Sequence, residues 1–229
     1  TLHINPGTRL EFGQNGGLLI YGRLEALGTG QAPIVMKPAV TSWLGVAIVN
    51  AHTAEHAPSR MHYMSIEGLR RGSLGPVAKL GGVQFVRSTV EMKHVTLKNL
   101  DTDDGINFYK SYFELEDVSL ANSADDCIDI DWGWGKFNRV AISGCGGDGI
   151  DLNNTLAEIR DVRISAYQDK GISVGEASIA TVSDSSLEGG NSGAAIKDLS
   201  RLTWGRGMKS ANHAHNDIEL YVKNATFGK

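Results

Sequence analysis

The chain has 229 residues, 41% of them hydrophobic and 21% charged, with a formal net charge of −4. This is the balance of an ordinary globular core, in one large domain or two small ones, and no Lys/Arg block is present to attract nucleic acid by bulk charge. No stretch approaches the ~18 consecutive apolar residues of a membrane helix, so neither nucleic acid nor membrane is an expected partner.

The sequence opens Thr-Leu-His, without an initiator Met or a recognisable leader, which reads as a processed or trimmed start. With 28 Gly against 5 Pro, tight turns are expected rather than a linker. Leu18-Leu-Ile-Tyr21 and Gly45-Val-Ala-Ile-Val49 read as early strands of an irregular segment covering residues 1–80. Two stretches, 51–60 (with His52 and His56) and 68–76, break the pattern and are expected to protrude as loops. Val83-Gln-Phe85 then precedes Ile106-Asn-Phe108 by 23 residues and opens a regular segment over 81–229.

In that segment one phrase recurs: Asp-Gly-Ile-Asn-Phe, Asp-Cys-Ile-Asp-Ile, Asp-Gly-Ile-Asp-Leu, Lys-Gly-Ile-Ser-Val, Ala-Ala-Ile-Lys, Asn-Asp-Ile-Glu-Leu. Its isoleucines, Ile106, Ile128, Ile150, Ile172, Ile196 and Ile218, are spaced by 22, 22, 22, 24 and 22. Polar residues alternate with them, the period of a strand with one buried face. Further columns return in phase: Met92, Leu115, Phe137, Ile159, Val182; Val95, Val118, Val140, Val162; and Leu97, Leu120, Ile142, Ile164, Leu187. Three short strands per ~22 residues describe an all-β, right-handed parallel β-helix of about nine coils, a single domain over 1–229. No 10–15-residue amphipathic helix separates the strands, which excludes a doubly wound fold. Residues 221–229 still read as strand, so further domains of the same chain are expected beyond either terminus. Cys127 and Cys145 are separated by something other than the coil period and are expected to be free thiols.

If the isoleucines point inward, Asn107, Asp129, Asp151, Ser173 and Lys197 point outward, with Tyr109, Asp131, Asn153 and Gly175 two residues further on. Asp104, Asp126 and Asp148 recur at the start of the strand, with Asp103 and Asp125 beside the first two. Stacked carboxylates repel. They persist by sharing protons, which places a general acid beside a general base, by binding a hard cation such as Ca²⁺, or by facing water as turn residues. Trp132-Gly-Trp134 interrupts the acid-bearing coil, and exposed indoles suit the apolar faces of sugar rings. Trp132, Trp134, Tyr109 and Asn153 are therefore expected substrate contacts. Lys170, at the position of the three aspartates, and Lys197 are salt-bridge partners or bases of shifted pKa. His213 and His215 alternate along one strand face as a metal pair without a third ligand.

These residues resemble known proteins. Segment 103–200, with Asp-Lys-Gly-Ile-Ser-Val-Gly-Glu and Ala-Ala-Ile-Lys-Asp-Leu-Ser, is similar to right-handed parallel β-helix repeat proteins of the pectate-lyase-like superfamily. It looks especially like the β-helix segments that accompany CotH-kinase-like domains, and residues 7–38 look like their opening rungs. A narrower resemblance is to polygalacturonases, through Thr102-Asp-Asp104-Gly, Asp125-Asp126-Cys and Ile196-Lys197. It implies Asp104, Asp125 and Asp126 as acid and base carboxylates flanking a water. Asp148 stands where that family has histidine, and Ala195 where it has arginine. Pectate lyases imply another assignment: Asp129, Asp131 and Asp151 on Ca²⁺, with Lys170 or Lys197 as base. Two functions remain open. One is an enzyme acting on an acidic polysaccharide, as lyase, epimerase or hydrolase. The other is a non-catalytic structural or adhesive module of a larger protein. Both imply a secreted, periplasmic or cell-surface location.

Overall fold

The computed structural model describes residues 1–51, 57–74 and 82–220. Among these there is no helix, and the strands form a right-handed parallel β-helix of about nine turns. Among the described residues no helix is long and apolar enough to cross a membrane. Five central coils each contribute a 12- or 13-residue strand, such as Tyr112–Ser123 or Thr89–Asp101, which is split into two shorter strands toward either end. A short strand of four to six residues, such as Asp126–Asp131 or Ile150–Asn153, completes each coil. The long strands stack in a 13-stranded sheet and the short ones in a 9-stranded sheet.

The expected three faces appear because each long strand bends. Tyr63, His94, Asp117, Arg139, Asp161 and Asp184 all have positive φ at the bend. A second corner column, Asn99, Asn122, Gly144, Ala166 and Gly189, and a third, Arg87, Lys110, Trp132 and Asn154, are left-handed too. Asn, Asp and Gly tolerate that conformation, whereas other residues accept it at a cost of about 1–2 kcal/mol. The third corner is also stitched by buried hydroxyls that the hydrophobic pattern does not reveal. The Ser88 N–H donates to Ser111 Oγ at 3.0 Å, Thr155 N–H to Ser178 Oγ at 2.9 Å, and Ser178 N–H to Ser200 Oγ at 3.1 Å. These satisfy amides that the turn removes from the ladder.

Registers place the apolar columns where the period puts them. Ile106 pairs with Ile128, Ile128 with Ile150, and Ile150 with Ile172. Leu115, Phe137 and Ile159 align, as do Val118, Val140 and Val162. Phe85, Phe108, Phe113 and Phe137 form a continuous aromatic stack inside, with successive centroids 5.0, 4.2 and 5.1 Å apart.

Four expectations change. Ile172 pairs with Ala194, not Ile196, and Ile196 continues the next column beside Val174. A small core residue keeps the period there, and the two extra residues fall in the following coil. Ala195 rather than Lys197 therefore follows Asp129, Asp151 and Ser173. Cys127 and Cys145 are not free: they form a disulfide with a Cα–Cα distance of 5.4 Å. Cys127 points inward from a short strand and Cys145 ends the next long strand, so the bond crosses the core at a corner. Residues 59–60 and 68–70, expected in loops, belong to the strand Ser59–Arg70. The expected loop residues 52–56, with His52 and His56, and 75–76 lie outside the described residues, as does the expected strand at 221–229.

Candidate active site on the short-strand sheet

The short strands carry two ladders of acids. At their start, Asp126 Oδ1 accepts the Asp148 N–H at 2.6 Å and Asp148 Oδ1 accepts the Lys170 N–H at 2.8 Å. These are turn contacts, each aspartate capping the amide one coil above. They also aim the carboxylates. Gly147 has no side chain because a Cβ there would collide with the carboxylates of Asp125 and Asp126.

The second ladder is the outward column Asn107, Asp129, Asp151, Ser173. It is more enclosed than an outward column need be: Asn107 and Ser173 are fully buried. Neighbours one rung apart cover each other, as where Asn107 Nδ2 donates to Asp129 Oδ2 at 2.7 Å. Asn153 Nδ2 donates to Asp151 Oδ2 at 3.1 Å. Carboxylate oxygens of Asp126, Asp148 and Asp151 all fall within 4.8 Å of one another.

Crowding and desolvation set the protonation. Burial pushes Asp129 up to about 8, reinforced by the charges of Asp104, Asp131 and Asp151. Burial likewise raises Asp126 to about 7, with Asp148, Asp151 and Asp104 adding to it. Asp148 rises only to about 6, because the Lys170 ammonium offsets part of the burial. Asp131 is raised by burial and by Asp151. Adjacent columns of the short-strand sheet thus hold acids with graded proton affinity.

The remaining candidates divide by position. Asp104 pairs with Asp126 in the strand-start ladder, while Asp125 is exposed at the turn beside it. Lys170 is ion-paired to Asp169 and lies 3.7 Å from Asp148 Oδ1, the salt-bridge role rather than that of a free amine. Burial opposes ionisation of Asp169, yet Lys170 and Asn191 hold its carboxyl below the usual range. Lys197 follows Ile196 in the column of Asp131, Asn153 and Gly175, with its stem beside Gly175. Tyr109 and Trp132 meet edge to face at 5.5 Å where the acid-bearing strands end, and Lys110 Nζ lies 5.2 and 5.4 Å from the two rings. Trp134 has turned the corner onto the long-strand sheet, beside Tyr112. His213 and His215 do not share a strand: His213 turns inward to Ser210 Oγ at 2.8 Å and Tyr167 Oη at 3.1 Å, whereas His215 is exposed.

The convergent oxygens of Asp126, Asp148 and Asp151 also fit a hard cation. Asp151 Oδ1 is buried without a hydrogen-bond partner, as are Asn107 Oδ1 and Ser173 Oγ on other rungs of its column. Unsatisfied buried oxygens are uncommon, and oxygen-only donors with carboxylates are the set Ca²⁺ takes.

No protein-family model and no curated protein matches the sequence. In fold, the chain is similar to the catalytic domain of a GH87 α-1,3-glucanase solved with nigerose, with a TM-score of 0.54 at 13% identity over 96% of this chain and 50% of that one. It therefore spans about half the length of that glucanase domain. An alginate lyase from Paenibacillus sp. str. FPU-7 matches at TM-score 0.44 and 13% identity, over 94% of this chain and 93% of that one. Pectate lyase Pel9A matches at 0.41 and 10% identity, over 87% and 54%. At these identities the likeness establishes the architecture alone.

Proposed function

We propose that this chain is a polysaccharide-cleaving β-helix whose reaction centre is the cluster of Asp126, Asp129, Asp148 and Asp151. The observation that carries the reading is the convergence of largely buried carboxylates on adjacent rungs, three of them within 4.8 Å. Asp129, with its pKa near 8, is neutral at pH 7 and serves as general acid to the glycosidic oxygen. Asp148, near 6 and beside Lys170, is ionised there and serves as base toward water. Two carboxyls pushed apart in this way divide the acid and base work. Asp126 and Asp151 sustain the gradient, and Tyr109, Trp132 and Asn153 hold the sugar. That a glucanase is built on this fold makes the assignment compatible with the scaffold, although fold alone does not imply function.

The convergent oxygens, with Asp151 Oδ1 buried and unpartnered, favour a second reading, in which Asp126, Asp148 and Asp151 hold Ca²⁺ and the substrate is an acidic polysaccharide. The ion would neutralise the cluster and attract uronate carboxylates. We place the protein outside the cytoplasm, as secreted, periplasmic or surface-bound, a location that the Cys127–Cys145 disulfide supports.

Neutral and uronate polysaccharides, each incubated with Ca²⁺ or EGTA, test both readings. Release of reducing ends without need of Ca²⁺, lost in Asp129→Asn and Asp148→Asn, is the expected result. Calcium-dependent ultraviolet absorbance from unsaturated uronate would instead select the second reading. Stabilisation by Ca²⁺ with no turnover on any glycan would leave a structural or adhesive module and sink both.

A further inference from the structure

Around the corner from the acids, the outer face of the long-strand sheet carries a feature that the reaction centre does not use. Tyr112, Trp134, Leu156 and Ile179 occupy one column on four consecutive rungs, each paired in register with the next. All four side chains point outward, since Phe113, Gly135, Ala157 and Ala180 alternate with them on the buried side. Tyr112 is 50% exposed, Leu156 46% and Ile179 39%, with Trp134 half-buried between them. The same sheet presents Ser119, Ala141, Arg163 and Ser186 on its other outer face, so apolar residues are not a requirement of the outward position. A contiguous exposed apolar strip marks a surface that something covers.

The shape and charge of the strip select its occupant. It is one side chain wide, too narrow for the ~800 Å² per partner of a standard protein interface. The sheet backbone beneath it is already paired on both sides, so strand addition is not available. Its rungs repeat every ~4.8 Å, close to the length of one pyranose along an extended glycan. The rings of Tyr112 and Trp134 lie 6.1 Å apart at 57°, offering apolar faces on neighbouring rungs to the C–H faces of sugars. Beside them a hollow of about 220 Å³ is lined by Pro58, Val90, Glu91, Phe113 and Glu114 among others. Glu91 is held by His62 at 2.7 Å and Lys93 at 3.0 Å, whereas Glu114 makes no ion pair among the described residues and presents its oxygens to sugar hydroxyls. Lys136, whose Nζ lies 5.5 Å from the Trp134 ring, is 3.7 Å from Glu158. A uronate in this hollow would set its own carboxylate against that of Glu114, a repulsion that an uncharged sugar does not meet.

We propose that the Tyr112–Trp134–Leu156–Ile179 ladder is a binding track for an uncharged linear polysaccharide, one sugar ring to each rung. The track stands on this face alone and does not require the acid cluster to be catalytic. The test is titration of glucan, xylan and mannan hexasaccharides, with a uronate hexasaccharide alongside, followed by tryptophan fluorescence and calorimetry. At least one uncharged hexasaccharide is expected to bind at least tenfold more tightly than the uronate. In the Asp129→Asn background, which prevents cleavage during the titration, Trp134→Ala and Leu156→Lys are each expected to weaken that binding at least tenfold. Leu156 is exposed, so its variant keeps the folded circular-dichroism melt and guards against a loss caused by misfolding. Preference for the uronate, no binding of any uncharged hexasaccharide, or full binding by both ladder variants would overturn the proposal. So would self-association that Leu156→Lys abolishes, since a second copy would then be the occupant. Cleavage assays judge the acid cluster and binding by the Asp129→Asn protein judges the track, so either can fall alone.

Discussion

Asp117 and Asp129 lie on consecutive strands of the same coil, yet their surroundings drive them in opposite directions. Asp117 stands at a bend of the long strand with His94 on the rung below, 3.6 Å away, and Arg139 on the rung above, at 2.7 and 3.0 Å. The Arg139 guanidinium holds its carboxyl below the usual range. Asp129 stands between Asn107 and Asp151 with Asp131 alongside, and burial among acids pushes it to about 8. Coil stacking brings residues one period apart into contact without regard to sign. Where the signs alternate, the column is a surface ion ladder. Where they repeat out of water, the column stores protons or accepts a cation, and this contrast confines the candidate chemistry to the short-strand sheet.

The largest test of the contrast concerns the bond beneath both regions. The disulfide closes a loop of 18 residues between a short acid-bearing strand and the end of the next long strand. Its removal by Cys127→Ala with Cys145→Ala is expected to lower stability by about 3 kcal/mol, read from the urea midpoint. Hydrogen exchange should rise first over Asp126–Asp131 and less around Asp117. Equal exchange in both regions would mean that the acid column does not depend on this clasp.

A smaller effect tests the stored protons. The folded pKa of Asp129 lies above its unfolded value near 3.9, so the native state binds more protons between those limits. Stability is therefore greatest below about pH 4 with respect to this group, declines as pH rises, and reaches its full penalty above about pH 8. Asp129→Asn is expected to leave thermal stability at pH 4 nearly unchanged and to raise it at pH 9, where the folded carboxylate is ionised at a cost the neutral amide lacks. Asp117 has the opposite sign: its contribution is present above its unfolded pKa and is lost as pH falls through the lowered folded value. Arg139→Ala should raise the Asp117 pKa, measured by carbon-detected NMR, with a stability change that salt reduces. A Tm for Asp129→Asn that follows the wild-type pH curve would break the comparison.

The sequence makes the stacking legible because large apolar residues mark their own columns. Ile106, Ile128 and Ile150 need only a count of 22 to be placed side by side. The same rule misleads at Ile196, where chemical likeness outweighs the count and the small Ala194 conceals the true register. The disulfide is hidden for a related reason: Cys127 and Cys145 meet across the interior, not along a column, so period arithmetic does not bring them together. Side-chain aim is less legible still. Asp126 and Asp148 join Asp151 because their turn bonds to backbone amides swing them toward it, a geometry that strand alternation does not contain. The Ser and Thr stitches at the third corner carry a period too, but polar residues with that spacing resemble any solvated turn until the amides they serve are known.

The smallest effect separates the scaffold from the chemistry it carries. Ala166 is exposed at the second corner, with φ of 53° in a column that Asn99, Asn122, Gly144 and Gly189 otherwise occupy. Its Cβ strains that conformation by about 1–2 kcal/mol, while glycine would add about 0.4–1 kcal/mol of unfolded-chain entropy. Ala166→Gly should therefore stabilise the protein by roughly 0.5 kcal/mol, the difference of those two contributions. Because Ala166 has no ionisable group, the gain should be the same at pH 4 and pH 9, unlike that of Asp129→Asn. A gain that varied with pH would mean that this corner and the acid column are mechanically coupled, and the two regions could no longer be treated as independent loads on one rigid coil.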